Sequence, residues 1–416
     1  MNNQKLYQSI FAILFFFVII YLLHSDIVGK FIWKGETLFG DFKTIISWLE
    51  CNYLGFDVYN LEDMKNCPSY VSVLFYGHLW LNIPFNENLK FFYLDYLPYI
   101  TIFLFFISIT FIINPKSLLE YFVLILALLN PSTVLLFERL GFDIFVFLSI
   151  VFITFNSFYI INWFTIFCLT FIKIYPAILG INIFIENIDR SFKKNLLIIF
   201  LLIMISAVYS YVNYDKYMIS IIDGGLNSGK AGYHYLFSLN SLPKIFKYIL
   251  NFNYILLLII FYSSFVLLTK FFYKKIDIDD LKITENSFLK SGKLFTLSAG
   301  ITLFCYVTFS NYAYREVFIL LLLPHIIFLK KENINNLLNI LFFLIIIRFL
   351  FLFPYSYINI HDGIKHIDSA RIFSEKFIIA ITIKSILDFV VISLSTSILF
   401  LHIKNFFRYR KIIANK

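Results

Sequence analysis

The chain has 416 residues, of which 60% are hydrophobic and only 15% charged, with a mean hydropathy of +0.80, and this excludes a soluble globular protein. Its net charge of +9 does not point to nucleic acid, because the lysines and arginines are scattered among the connections between apolar runs and form no single basic face. Phe and Tyr, with 54 and 28 copies, are too abundant for any single aromatic to carry an argument.

In chain order, the apolar runs predict spans at 7–23, 97–113, 119–137, 143–156, 159–173, 176–186, 196–212, 254–273, 295–309, 317–329, 337–353 and 377–402. A helix needs roughly 20 residues to cross a bilayer, so several of these are short or tilted. The first run begins close to Met1, and no small-residue cleavage site follows it, so it reads as a retained span. Basic connections orient the rest. They are "ENIDRSFKKN" with Arg190, Lys193 and Lys194, the stretch "YKKIDIDDLKITENSFLKSGK", the pair Lys330–Lys331, and the tail "KNFFRYRKIIANK". Positive loops stay in the cytoplasm. For all four to share that side, an odd number of crossings must separate residues 141 and 187. This favours three short spans, with "KIYP" (173–176) at an outward turn broken by Pro176.

The expectation is therefore an all-α polytopic membrane protein of about twelve transmembrane helices, with both termini in the cytoplasm. Residues 1–416 read as one integral membrane domain. The long segments 24–96 and 213–253, together with 354–376, fall outside as extracytoplasmic loops. Within the first of them, "SYVSVLFYGHLWLNI" mixes apolar residues with Tyr, His78 and Trp80, and reads as an interfacial helix. Cys168 and Cys305 lie in apolar runs as small core residues. Cys51 and Cys67 share the first loop, and spacing alone leaves open whether they form a disulfide.

Ionisable residues at span ends are costly and mark function by default. On the outward side fall Asp41 after the first span; Glu138, Arg139 and Asp143 in "LLFERLGFD"; Lys173 in "KIYP"; Arg315 in "SNYAYRE"; and His234 in "SGKAGYHYLFSLNSL". Arg139 with Asp143 reads equally as an internal ion pair or as a phosphate site. Lys43, Glu50 and Asp57 read as ordinary interfacial residues. The "DIDD" stretch at 277–280 lacks the strands and glycine-rich loop of a nucleotide-sugar site, so it reads as a solvated acidic cluster. No metal-ligand spacing, nucleophile elbow or dinucleotide fingerprint appears, and no metal or cofactor is expected.

Four stretches together resemble a known pattern: "GDF" followed by "LGFDVYN", "NPSTVLLFERLGFDIFVFL", "FIKIYP" and "SNYAYREVFILLLLP". They resemble the GT-C superfamily of membrane glycosyltransferases, in particular glycosyltransferase family 87 and its uncharacterised bacterial relatives, over roughly residues 7 to 330. The resemblance implies a GT-C-like fold with a large first extracytoplasmic loop carrying interfacial helices. It also implies an inverting transfer of a hexose, with a mannose-like donor among the candidates, from a polyprenyl-phosphate-linked sugar to a lipid or glycan acceptor. The site would face outward from the cytoplasmic membrane, in cell-envelope glycan synthesis. By position, Asp41 matches the family's general base. Gly55 and Tyr59 match its "G-x-D-x-Y" element, with Asp57 the variable member. Arg315, Arg139 and Lys173 are the cations for the donor phosphate, and His234, Tyr59, Asp143 and Glu138 would support acceptor or phosphate. The chain departs from the family where it has "ERLGFD" in place of an "ERGNxD" pattern, and where only Pro68 and Tyr70 remain of a proline-rich stretch.

Two other readings compete. An O-antigen-type polymerase would need paired arginines in two large outer loops, and 213–253 contains none. A lipid-linked oligosaccharide flippase or transporter would need charges along a midplane path, which directs attention to Arg348 and Asp388 inside the late spans.

Overall fold

The computed structural model describes residues 3–30, 37–69, 78–173, 175–180, 236–276, 291–308, 311–331, 336–362, 364–367 and 370–414, with isolated helical positions between 183 and 212. His234, the "DIDD" stretch and most of "SYVSVLFYGHLWLNI" lie outside the described residues, as do about half of each of the spans expected at 176–186 and 196–212. Four helices are long and apolar enough to cross a membrane: Gln4–His24, Tyr254–Lys275, Asn336–His361 and Glu375–Lys404. Two bent pairs, Glu87–Asp95 with Leu97–Ile113 and Leu118–Leu129 with Pro131–Arg139, raise the number to as many as 6 if each pair is one span. These lengths and this apolarity suggest a helical membrane protein. Two short antiparallel ladders interrupt the helices: Leu236–Phe237 (β1) on Asn311–Tyr312 (β2), and Ile364–Ile367 (β3) on Ala370–Phe373 (β4).

The described chain forms two compact units. The first comprises Met1–Lys34, Phe105–Phe137 and Tyr233–Lys416. Its N-terminal helix α1 (Asn3–His24) buries Gln8, Ala12, Phe15, Ile19 and Leu23, a spacing of three and four that turns one stripe inward, while Leu14, Phe17 and Tyr21 face out. Gln8 donates to Asn114 Oδ1 at 2.6 Å, and Asn114 itself is left-handed (φ 48), a conformation Asn tolerates just past a helix end. The apolar run expected as one span at 119–137 is two helices meeting at 50°. Pro131 cannot donate a backbone hydrogen bond and occupies the first position of the second helix. The buried Asn130 side chain joins the two, donating to the Ala127 carbonyl at 2.6 Å and accepting from Thr133 N at 3.1 Å. The span expected at 317–329 begins instead as a 3-10 stretch, Ala313–Leu322, before the helix Leu323–Lys331. Ser298 Oγ, on the helix Lys293–Thr308, donates to the Phe318 carbonyl in that stretch at 2.5 Å. The span expected to end at 353 continues through Pro354 to Asp362.

At the heart of this unit lies a closed ring of charge. Arg348, on the helix Asn336–Asp362, meets Glu316 at 2.6 Å and Asp388 at 2.6 Å. Lys384, on the helix Glu375–Ala414, meets Glu316 at 2.7 Å and Asp388 at 2.8 Å. All four side chains are at most 2% exposed, and the two positive charges balance the two negative ones. Both contacts to Asp388 have hydrogen-bond geometry, whereas the Arg348 and Lys384 contacts to Glu316 are close but poorly angled. Glu316 gains a hydrogen bond from Ser132 at 2.8 Å instead. A second buried contact, His325 Nε2 to His402 Nε2 at 2.8 Å, ties Leu323–Lys331 to Glu375–Ala414.

The second unit comprises Gly35–Leu104 and Glu138–Gly232. Its helix α2 (Gly40–Tyr53) buries Phe42, Ile45, Trp48 and Leu49 on one face. Cys51 on α2 is bonded to Cys67, 16 residues on and just past the short helix Leu61–Lys65. The sequence left that pairing open, and the bond closes the turn between the two helices. Within the turn, Gly55 takes φ 91 and Asp57 Oδ1 accepts from Tyr59 N at 3.1 Å, so Asp57 shapes the backbone as an Asx turn. Glu50 pairs with Lys90 of Glu87–Asp95 at 2.6 Å.

The charge ring makes a definite prediction. Removing one partner from a buried ion pair costs about 3–5 kcal/mol, because it strands the remaining charge. Asp388→Asn should therefore lower the thermal unfolding temperature more than Glu316→Gln, whose contacts are less well angled. Arg348→Met combined with Asp388→Leu should cost less than the two single changes summed. Additive losses in detergent-solubilised protein would show that the ring does not act as a unit.

Candidate functional site

The second unit gathers the charges that the sequence marked along "GDFKTI", "LLFERLGFD" and "KIYP". Asp41 is the second residue of α2, and Arg139 closes the helix Pro131–Arg139. Their bridge, Nη2 to Oδ1, is 2.9 Å. Asp143 opens the helix Asp143–Phe155, where a carboxylate suits the positive end of the helix dipole. Lys173 follows the helix Tyr159–Ile172, and Tyr175 begins a 3-10 turn at Tyr175–Ala177. Lys173 Nζ donates to Asp143 Oδ2 at 3.2 Å, and Tyr175 Oη donates to Asp143 Oδ1 at 2.5 Å. Arg139 thus bridges to Asp41, and Asp143 bridges to Lys173; the sequence allows Arg139 with Asp143 as an ion pair or as a phosphate site, and neither of these two bridges is that pair.

Backbone geometry holds the two partners of the first bridge in place. Phe39 N donates to the Glu138 carbonyl at 2.7 Å, which docks the start of α2 on the residue before Arg139. Phe39 (φ 63) and Leu140 (φ 48) are both left-handed, a conformation uncommon for residues with bulky side chains. Both side chains are buried, Phe39 with its ring edge-on to Tyr99 at 5.4 Å, so packing over-determines the backbone. Gly40 matters for a different reason: a Cβ there would sit 3.2 Å from Arg139 Nη1 and crowd the guanidinium.

Burial raises the Asp41 carboxyl above its ordinary 3.8, with the Asp143 carboxylate acting in the same direction. The nearby cations Arg139 and Lys173 pull it back down without cancelling the effect of burial. The Asp41 side chain keeps 22% of its surface, so solvent tempers the shift. A carboxylate held this way is more basic than an ordinary aspartate and sits beside two cations. That combination can take a proton from a hydroxyl while the cations face developing negative charge.

The remaining candidates are distributed as follows. Glu138 is fully buried and Tyr59 5% exposed, both in the second unit. Arg315 lies in the 3-10 stretch of the first unit, half-buried and adjacent to Glu316 of the charge ring. Tyr175 was missed as a site residue, although it lies inside the "KIYP" motif. Among the described residues, no three His, Cys, Asp or Glu side chains gather as metal ligands.

Raising a carboxyl's affinity for protons in the folded state means the fold is favoured when that group is protonated. The contribution is fully present below the ordinary 3.8 and is lost as pH rises through the folded value. Asp41→Asn should therefore unfold at a higher temperature than wild type at neutral pH, with the difference shrinking as pH falls toward 4. A variant less stable than wild type at neutral pH would contradict this. No known family model matches the chain, and no curated protein matches it.

Proposed function

We propose that this protein is a membrane glycosyltransferase that moves a hexose from a polyprenyl-phosphate donor to a lipid or glycan hydroxyl. Its site would lie at the outer face of the cytoplasmic membrane. The observation that carries the reading is the Asp41–Arg139 bridge beside Lys173 and Asp143: a proton-hungry carboxylate next to fixed cations. The resemblance to the GT-C superfamily adds the substrate class and the inverting outcome. The Cys51–Cys67 bond supports an oxidising, outward setting for the first loop. The topology of about twelve crossings with cytoplasmic termini belongs to the same proposal.

In this scheme the acceptor oxygen attacks the anomeric carbon from the face opposite the phosphate. Asp41 takes the hydroxyl proton as the new C–O bond forms. The bond from the anomeric carbon to the phosphate oxygen breaks, and its electron pair leaves with the lipid phosphate. Arg139 and Lys173 face the growing negative charge, and Arg315 is a further candidate cation from the sequence alone. Attack from the far side inverts the anomeric centre.

The transport reading gains nothing from Arg348 and Asp388. They lie in a neutral ring in which each carboxylate faces both cations, which suits a clamp better than a path.

Two measurements test the proposal. Asp41→Asn, in protein shown to be folded, should lose at least about 100-fold in transfer from a polyprenyl-phosphate sugar, in the range expected for a positioned base. Full activity would end the assignment. Arg315→Ala should weaken use of the lipid-phosphate donor, and unchanged kinetics would remove it from the site.

A further inference from the structure

The two bridges of the cluster are built differently. Lys173 and Asp143 are 9% and 0% exposed, and Tyr175 ties down the second oxygen of Asp143. Lys173 also lies over the rings of Phe142 at 5.6 Å and Tyr175 at 5.8 Å. That cation is fixed. Arg139 and Asp41 are 29% and 22% exposed, and Gly40 leaves the guanidinium room where any side chain would press on it. This bridge is open to exchange.

A phosphate competes well for such a guanidinium. It carries as much charge as a carboxylate or more, and it offers several oxygens to a planar fork of donors. We propose that Arg139 is an anion-operated latch on Asp41: a phosphate group seated at Arg139 draws the guanidinium away and uncovers the carboxylate, while Lys173 stays with Asp143. The inference rests on the proposed transferase reading and deepens it, because the carboxylate is uncovered, and its affinity for a proton raised, only when a donor phosphate is in place. Without the donor, Asp41 remains occupied as the counter-ion of Arg139. The ligand chemistry is a phosphate ester or free phosphate, and the lipid-borne and soluble forms are separated by experiment.

The test needs neither sugar nor turnover. The full-length protein in phosphatidylcholine nanodiscs is treated with an apolar carbodiimide, which attacks protonated carboxyl groups, and labelling at Asp41 is read by peptide mass spectrometry. Losing the Arg139 cation favours the protonated form of this buried carboxyl, so labelling should rise when the latch opens. Polyprenyl phosphate is expected to raise labelling several-fold in wild type. Arg139→Gln should label at the raised level with no anion added and show no further response. Arg139→Lys, which keeps the charge, should respond only at higher polyprenyl phosphate concentration.

If inorganic phosphate at millimolar concentration reproduces the increase, the phosphate group alone works the latch. If only polyprenyl phosphate does so, the latch reads the lipid-borne form. Labelling unmoved by either anion, or equal in Arg139→Gln and wild type, overturns the latch. A failed latch alongside an inactive Asp41→Asn removes the latch and leaves the base in place. An anion response alongside a fully active Asp41→Asn removes the base and leaves an anion site.

Discussion

Helices in a lipid-facing bundle gain little from the hydrophobic effect when they pack, because lipid tails are as apolar as leucine. What fixes their rotation must be shape and polar contact, and in the first unit the polar contact is the ring of Arg348, Glu316, Lys384 and Asp388. Buried charge of this kind adds little net stability compared with well-packed apolar side chains. Its effect is on specificity. Rotating either long helix by one residue would carry its charges out of the ring and leave the others unbalanced. The 3-10 stretch that presents Glu316, with its Phe318 carbonyl taken by Ser298, is held to the same register.

The second unit uses charge for another purpose. Its carboxylates and cations sit at helix ends and turns, where the backbone can aim them and where some remain accessible. The ring is balanced and sealed; the cluster around Asp41 is strained at Phe39 and Leu140, partly open, and its carboxyl is raised by burial. A site that changes protonation, as proposed for Asp41, has to avoid the completeness that makes the ring stable.

Much of this was legible in the chain, for reasons that can be named. The helices Leu97–Ile113, Asp143–Phe155 and Tyr159–Ile172 fall within a residue of the runs at 97–113, 143–156 and 159–173, because Pro, Asn, Asp and Lys punctuate their ends. The residues Asp41, Arg139, Asp143 and Lys173 stood out because ionisable groups at span ends are rare. Which carboxylate meets which cation could not be read, since Arg139 is four residues from Asp143 and far in sequence from Asp41. The bend at Asn130–Pro131 was signalled by proline but hidden inside an apolar run. Lys384 was readable and passed over: it lies one helical turn before Asp388, on the same face.

Phe39 and Leu140 also constrain how the chain can change. Both occupy a backbone conformation in which glycine would be at ease, so stability-minded redesign would put glycine there first. Glycine would also release the chain at the two points that aim the Asp41 helix and the Arg139 turn. Drift through such positions is a ratchet. A relaxed backbone is easily gained by one substitution, but the buried side chains that now enforce the geometry would have to be rebuilt together to restore it.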